Sequence, residues 1–288
     1  MKRFDYLAPQ SLGEALEMLS NHPEAIPLAG GTDLLVQMKE GRRSVEALLG
    51  LKRVAELHQF ACNGTLAFGS AVTVAQIAAS PYIQRDFTAL AIGAGSIGSV
   101  QIRNMATVGG NLCNAAPSAD TAPPLLVLGA RVIIASTRGE RAVHLEQFFL
   151  EPGRTILQPG ELLKEIIVPK PRAASGSFYI YHTPRTRIGI AVASVAASVT
   201  LDAADAITDA RVALGAVAPV PLRATQAESL LLGRTLTDAL LRDVGATAAR
   251  ESQPIDDVRA SAEYRRYLVN VLTQRALRGA CARAKGVG

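Results

Sequence analysis

Apolar and polar positions along the chain follow two rhythms, helical in some stretches and strand-like in others, punctuated by glycine and proline. Leu12, Ala15, Leu16 and Leu19 recur at helical spacing, and Ser11 with Glu14 three residues on forms a capping box. A helix over about 12–19 is therefore predicted, ending before Asn21-His22-Pro23, with a short strand at 4–7 ahead of it. Residues 25–28 read as a second strand that runs into a glycine turn and a helix reaching about Glu40. Residues 45–51 read as another strand. Segments 59–62 and 65–68 flank Asn63-Gly64 as arms of a hairpin with a type I′ turn. Thr73 caps a helix that runs through Ala79 and stops at Pro81. From 89 to 110 small residues dominate, among them Gly93, Gly95, Gly98, Gly109 and Gly110, a composition that lets backbone approach something closely. Residues 132–135 are strand-like, Arg138-Gly139 is a turn, and the Pro-rich run 169–177 reads as a linker.

A second zone begins near Phe178. In 188–201 the positions Ile190, Val192, Val195 and Val199 fit neither period, but the β-branched content favours a strand. It pairs across a turn at 202–205 with a strand at 207–215. Pro219 and Pro221 end that hairpin, and helical patterns follow at 224–232, 237–250 and 260–284. Strands followed by helices make an α+β arrangement.

Composition narrows the function. A chain of 288 residues with 49% hydrophobic content has material for about two domains. Charges interrupt every apolar run before the roughly 18 residues a membrane span needs. The N-terminal MKRFDYLAPQ has no apolar core of a signal peptide, so a cytoplasmic location is expected. Cys62, Cys113 and Cys281 are too few and too scattered for disulfides, a zinc site or a cysteine-ligated cluster. His22, His58, His144 and His182 show no metal-ligand spacing either, so no metal is expected on this chain. The net charge of +5 is carried by the C-terminal part, where residues 173–288 hold 14 basic against 10 acidic side chains. In the last 30 residues Arg259, Arg265, Arg266, Arg275, Arg278, Arg283 and Lys285 face one acid, Glu263. With only Tyr264 and Tyr267 as stacking faces, this reads as a solvated or subunit-facing helix rather than a nucleic-acid surface.

Two glycine elements carry candidate chemistry. In Ala29-Gly30-Gly31-Thr32-Asp33-Leu34-Leu35 the paired glycines can expose successive N–H donors, and Thr32 and Asp33 can cap the next helix. Such a nest suits a diphosphate, although the same residues also make an ordinary strand-to-helix turn. It is neither a GxGxxG fingerprint nor a P-loop. The second element, 107–120, packs Thr107, Gly109, Gly110, Asn111, Asn114, Ser118 and Asp120 into 14 residues beside an apolar run. A buried loop of this kind needs hydrogen-bond partners, from itself or from a ligand carrying a diphosphate and hydroxyls. Cys113 reads as a packing residue rather than a nucleophile, and His182 as a packing or surface residue rather than an acid–base catalyst. Arg103 and Asn104 are candidates for phosphate contacts, Arg103 equally for a subunit contact.

AGGTDLL at 29–35 followed by IGSVQIRNMATVGGNLCNAAPSAD at 97–120 resembles the two FAD-binding motifs of the flavoprotein (medium) subunit of the molybdenum hydroxylases, the xanthine dehydrogenase and carbon monoxide dehydrogenase family. PGELLKEIIVP at 159–169, GIAVASVAASVTL at 189–201 and DARVALGAVAPVPLRATQAE at 209–228 extend the likeness over nearly the whole chain. The resemblance implies a two-part FAD-binding domain of the vanillyl-alcohol oxidase/PCMH type at 1–172, then a smaller C-terminal domain of antiparallel sheet and helices at 173–288. It implies that Ala29, Gly30, Gly31, Thr32, Asp33, Leu34 and Leu35 line the diphosphate and adjoining FAD atoms. Thr107, Gly109, Gly110, Asn111 and Asp120 match the second set of contacts; Ile97 and Ile156 or Leu157 match apolar contacts.

Lys164 is assigned by neither motif. Tyr181 stands where some relatives carry lysine before Arg185, near the flavin and the acceptor, so the acceptor is open between NAD and a quinone. No inserted cysteine loop of the benzoyl-CoA reductase relatives is present. The family's function is electron transfer. A large subunit with a molybdenum cofactor hydroxylates the substrate, and a small subunit with two [2Fe–2S] clusters relays electrons to FAD here, in a dimer of heterotrimers. No side chain of this oxidoreductase subunit is expected to be catalytic, because the flavin carries the redox chemistry. A scaffold that has lost FAD and a stand-alone flavin oxidase are the other readings.

Overall fold

The computed structural model describes residues 2–184 and 189–287. Its N-terminal lobe is a three-stranded parallel sheet in the order β1 (Asp5–Leu7), β3 (Ala47–Gly50), β2 (Ala25–Leu28). Helix α1 (Leu12–Asn21) crosses over between β1 and β2, and α2 (Leu34–Lys39) between β2 and β3. Helix α1 buries Ala15, Leu16 and Leu19, the face its spacing predicts. Ser11 caps it by accepting from the Glu14 N–H at 3.2 Å, while Glu14 reaches back to the N–H of Gln10 rather than to that of Ser11.

The second lobe is an antiparallel sheet in the order β4 (Phe60–Asn63), β5 (Thr65–Gly69), β10 (Leu162–Val168), β6 (Arg131–Ser136), β7 (Gly139–His144). Strands β8 (Phe149–Glu151) and β9 (Arg154–Thr155) form a small hairpin beside it. Asn63 pairs with Thr65, so the β4–β5 hairpin turns on Gly64 alone, at φ +86°, and the two-residue type I′ turn does not form. Short helices fill the long connection from β5 to β6. They are α3 (Val74–Ala79), α4 (Pro81–Asp86), α5 (Thr88–Ser96), α6 (Val100–Met105), α7 (Val108–Cys113) and α8 (Ala122–Val127). Thr73 and Gln76 make a full capping box for α3. Pro81 does more than stop α3. It opens α4 at the first helical position, where its missing N–H costs nothing, with Ser80 as cap.

The C-terminal sheet runs β11 (Ser175–His182), β12 (Ala193–Leu201), β13 (Ile207–Gly215), β14 (Leu222–Arg223), all antiparallel. Strand β11 begins inside the run read as linker. Helices α9 (Thr225–Ser229), α10 (Asp238–Glu251) and α11 (Ala262–Ala284) follow. Strand β12 is covered on both faces over residues 193–197 and alternates only beyond them, where Ser198 and Thr200 are half-buried between buried Ala197, Val199 and Leu201. Val195, Ala197 and Val199 pack toward the core shared with α10 and α11, while Ala196 joins the core of the second lobe with Tyr179 and Ala213.

Several basic residues of the C-terminal helix and its flanks are paired with acids, two of them distant in sequence. Arg265 is buried, donating through Nη1 to the carbonyls of Val192 and Ala216 at 2.7 and 2.9 Å and through Nη2 to Asp257 at 2.7 Å. Arg278 pairs with Asp238, Lys285 with Asp205 and Arg259 with Asp257. Arg266 and Arg275 are exposed and have no ion pair among the described residues, so part of the helix's positive charge faces outward, in keeping with a solvated or subunit-facing helix. No described helix is long and apolar enough to cross a membrane.

Candidate functional site

A cavity of about 450 Å³ opens at the seam between the two N-terminal lobes. One wall is the turn joining β2 to α2. Gly31 takes a left-handed φ of +70°, and a Cβ on Gly30 would overlap the carbonyl oxygen of Met105 in the other lobe. The backbone N–H groups of Gly30, Gly31, Thr32, Asp33 and Leu34 donate to no acceptor among the described residues. Five unpaired donors on one cavity wall are what an anionic or oxygen-rich ligand requires. Asp33 occupies the cap position of α2, yet its side chain makes no capping bond, contrary to expectation. Its carboxylate instead accepts from Asn114 Nδ2 at 3.5 Å, and burial raises its pKa.

The facing wall is built on α7, so the 107–120 segment is in part a helix rather than a loop. Thr107 caps it by accepting from the Gly110 N–H at 3.0 Å, leaving its hydroxyl hydrogen to donate elsewhere. The Gly109 N–H donates to the Ser70 carbonyl at 3.0 Å, an approach that any Cβ at 109 would block. Asn111 Oδ1 accepts from the N–H and the hydroxyl of Thr121 at 3.3 and 2.6 Å, which fixes its amide and leaves both amide hydrogens to donate. Arg43 brings a cation to the wall. Glu161 also lines the cavity, but its carboxylate is held by Arg141 at 2.8 Å, which lowers its pKa. The lining is therefore rich in donors and matches phosphate and hydroxyl oxygens.

The structure brings Ala29, Gly30, Gly31, Thr32, Asp33, Leu34, Ile97, Thr107, Gly109, Gly110, Asn111 and Leu157 together around this space. Four expected residues stand outside it. Leu35 packs beside Met38, Val45 and Leu48. Ile156 packs against the main core of the second lobe. Asp120 lies behind the wall, where the Tyr179 hydroxyl donates to it at 2.5 Å; burial drives its pKa up to about 6, partly offset by that hydrogen bond. Tyr181 is exposed and stacks on Tyr179 with ring centroids 6.0 Å apart. Arg185 lies outside the described residues.

Lys164 is paired with Glu140 at 2.7 Å. Arg103 donates to the carbonyls of Ile97 and Gly98, holding the chain that leads into α6. Cys113 lines the cavity, but burial pushes its thiol pKa up to about 12, which removes it as a nucleophile. His182 lies edge-on to Tyr264. Reasoning from sequence missed Arg43, Gln37 and Ser70 on the wall. Arg43 follows Gly41 in a polar run with no periodicity to mark it, and the direction of the Ser70 side chain depends on the β5–β10 pairing.

Two family descriptions match the chain, "FAD binding domain in molybdopterin dehydrogenase" over residues 2–171 and "CO dehydrogenase flavoprotein C-terminal domain" over 179–280. The xanthine dehydrogenase FAD-binding subunit of Escherichia coli O157:H7 is 34% identical, the alignment covering 98% of this chain and 97% of that protein. The carbon monoxide dehydrogenase medium chain of Hydrogenophaga pseudoflava is 31% identical over 98% of both chains. A solved structure of carbon monoxide dehydrogenase from the same organism superposes with a TM-score of 0.93 at 31% identity, covering 98% of each chain. A chain of quinoline 2-oxidoreductase from Pseudomonas putida 86 superposes with a TM-score of 0.91 at 28% identity, covering 100% of this chain and 99% of that one.

Proposed function

The chain belongs to the FAD-binding subunits of the molybdenum hydroxylases, and on that premise we propose that it passes electrons from an iron–sulfur partner through FAD to a soluble or membrane-borne acceptor, NAD or a quinone. The observation that carries this reading is the run of unpaired N–H donors from Gly30 to Leu34, set across the cavity from Thr107, Gly110 and Asn111. The cavity size lies in the range typical of small-molecule sites. Gly30 and Gly31 bring backbone donors to the diphosphate, and Arg43 adds a compensating charge. Asn111 and Thr107 donate to sugar or ribityl hydroxyl oxygens, while Ile97 and Leu157 present apolar surface to the ring system. Bound here, FAD supplies the two-electron redox chemistry, so the chain's own residues bind, orient and shield rather than transfer protons.

In the assembly that fits this role, a small subunit with two [2Fe–2S] clusters and a large subunit with the molybdenum cofactor join this chain in a cytoplasmic dimer of heterotrimers. The substrate is then hydroxylated on the large subunit. Residues 1–172 hold FAD and 173–288 form the C-terminal domain. Tyr181 governs access of the acceptor. The test is purification with and without the neighbouring subunits. Yellow protein that absorbs near 450 nm and releases one FAD per chain on denaturation is expected, and colourless protein that fails to take up added FAD refutes the assignment.

A further inference from the structure

A second, smaller cavity of about 170 Å³ lies where the C-terminal sheet meets the second lobe, remote from the Gly30–Asn111 walls. Its floor is one face of three strands in register. Ser175 stands opposite Thr200 and Thr200 opposite Asp209, while Ser177 stands opposite Ser198 and Ser198 opposite Arg211. Two cross-strand rows of polar side chains thus lie side by side on the face that, farther along β12, packs Ala196 against the second lobe. The run 169–172, read from sequence as linker, forms one side and brings Lys170, while Val127 and Leu128 at the end of α8 close another.

The charges of this cavity do not cancel within it. Asp209 is engaged by Arg172 at 3.6 Å and Asp86 by Arg85 at 2.7 Å. Arg211 and Lys170 have no ion pair and no side-chain hydrogen bond among the described residues. Arg211 is half-buried, and its place is shaped for it. Gly129, at φ +69°, lies so close that a Cβ there would overlap Nη1 of the guanidinium. The hydroxyls of Ser198 and Thr200 likewise have no partner, and Ser177 Oγ already accepts from the Ala89 N–H at 3.2 Å, so its hydrogen is free to donate. A guanidinium, an ammonium and three hydroxyls that can donate stand against two carboxylates, Asp86 hydrogen-bonded to Arg85 and Asp209 3.6 Å from Arg172, so donors are in excess. A phosphate group presents mainly acceptor oxygens. The volume is below the roughly 300 Å³ of pockets that take whole drug-sized ligands, so it fits a group rather than a cofactor.

We propose that this cavity binds a phosphate group, held by Arg211 with Ser177, Ser198 and Thr200 on the sheet and by Lys170 from the interdomain segment. Because its ligands come from β11, β12, β13 and that segment, an occupied site would tie the C-terminal domain to the FAD-binding part. The inference does not depend on the flavin reading, since the two cavities share no lining residue.

The test is titration of full-length protein, with and without added FAD, with inorganic phosphate at constant ionic strength, read by calorimetry and by 31P line width. Saturable binding of one phosphate per chain is expected, weakened at least tenfold in Arg211→Ala and about threefold in Thr200→Val. Both variants should keep the wild-type circular dichroism and FAD content. If Arg211→Ala fails to fold, Thr200→Val and Ser198→Ala carry the test. A parallel titration with glycerol phosphate separates the sources. Tighter binding than inorganic phosphate assigns the site to the phosphoryl group of a larger molecule, and equal or weaker binding assigns it to free phosphate. Non-saturable binding, or binding unchanged in every one of these variants, overturns the proposal. Loss of FAD binding with retained Arg211-dependent phosphate binding would count against the flavin reading alone.

Discussion

The hydrogen bond from Tyr179 to Asp120 joins the C-terminal sheet to the segment behind the larger cavity, and it makes a sharp prediction about pH. Asp120 titrates near 6 in the folded chain against an ordinary 3.8, because burial disfavours its charged form more than the Tyr179 hydroxyl favours it. A folded-state pKa raised above the unfolded one gives stability that is fully present below pH ~4 and lost as pH rises through ~6. At about 1.4 kcal/mol per tenfold change in proton affinity, ionising Asp120 costs about 2–3 kcal/mol, the lower figure allowing for residual exposure of the residue.

Asp120→Asn should therefore abolish this slope and raise stability at pH 8 by about 1–2 kcal/mol, since an amide oxygen still accepts from Tyr179. Tyr179→Phe should do the opposite. It should cost about 2–3 kcal/mol at pH 8, where a charged acceptor loses its donor, but only about 1 kcal/mol at pH 4.5, where the acid is neutral. The assay is urea unfolding of FAD-free protein from pH 4.5 to 8, followed by circular dichroism and tyrosine fluorescence, the chain having no tryptophan. An unchanged slope in Asp120→Asn, or an equal cost of Tyr179→Phe at both pH values, would refute the reasoning.

Other positions give independent tests. Gly30→Val places side-chain atoms where the Met105 carbonyl stands, so FAD content after reconstitution should fall at least tenfold while Gly13→Val, where a Cβ meets nothing, should leave it unchanged. Arg223→Met leaves Glu228, 9% exposed, without its cation and should cost about 3–5 kcal/mol in urea unfolding. Glu146→Gln removes only the exposed partner of the same arginine and should cost less than about 1 kcal/mol. Thr73→Ala removes the cap of α3 and should cost about 1 kcal/mol by the same measurement. With its thiol pKa pushed up to about 12, Cys113, half-buried on the cavity wall, should resist iodoacetamide at pH 8 for hours; rapid modification identified by mass spectrometry would contradict the raised pKa.

Local signals carried much of this architecture. The bounds of β2 and β13, the cap at Thr73 and the glycine turn at 30–31 follow from side-chain period and from residues with narrow backbone preferences. What the sequence hid depends on partners far along the chain. Nothing near Arg278 or Lys285 announces Asp238 or Asp205, so the basic helix looked unpaired when counted along the sequence. Asn63-Gly64 has the composition of a two-residue turn, but the hairpin pairs Asn63 with Thr65 and closes one residue tighter. The wall positions of the larger cavity were legible as motifs, whereas Arg43 and Ser70 reach it only through the relative placement of two sheets.

The double-sided burial of β12 sets how this chain can vary. Ala196 and Ala197 are neighbours in sequence and both fully buried, yet Ala196 faces the second lobe and Ala197 faces the core shared with α10 and α11. Enlarging the first wedges the domains apart, while enlarging the second lifts the C-terminal helices from their sheet. A saturation scan along this strand should therefore yield two interleaved classes of damaging substitution, each rescued by shrinking a residue in a different part of the molecule.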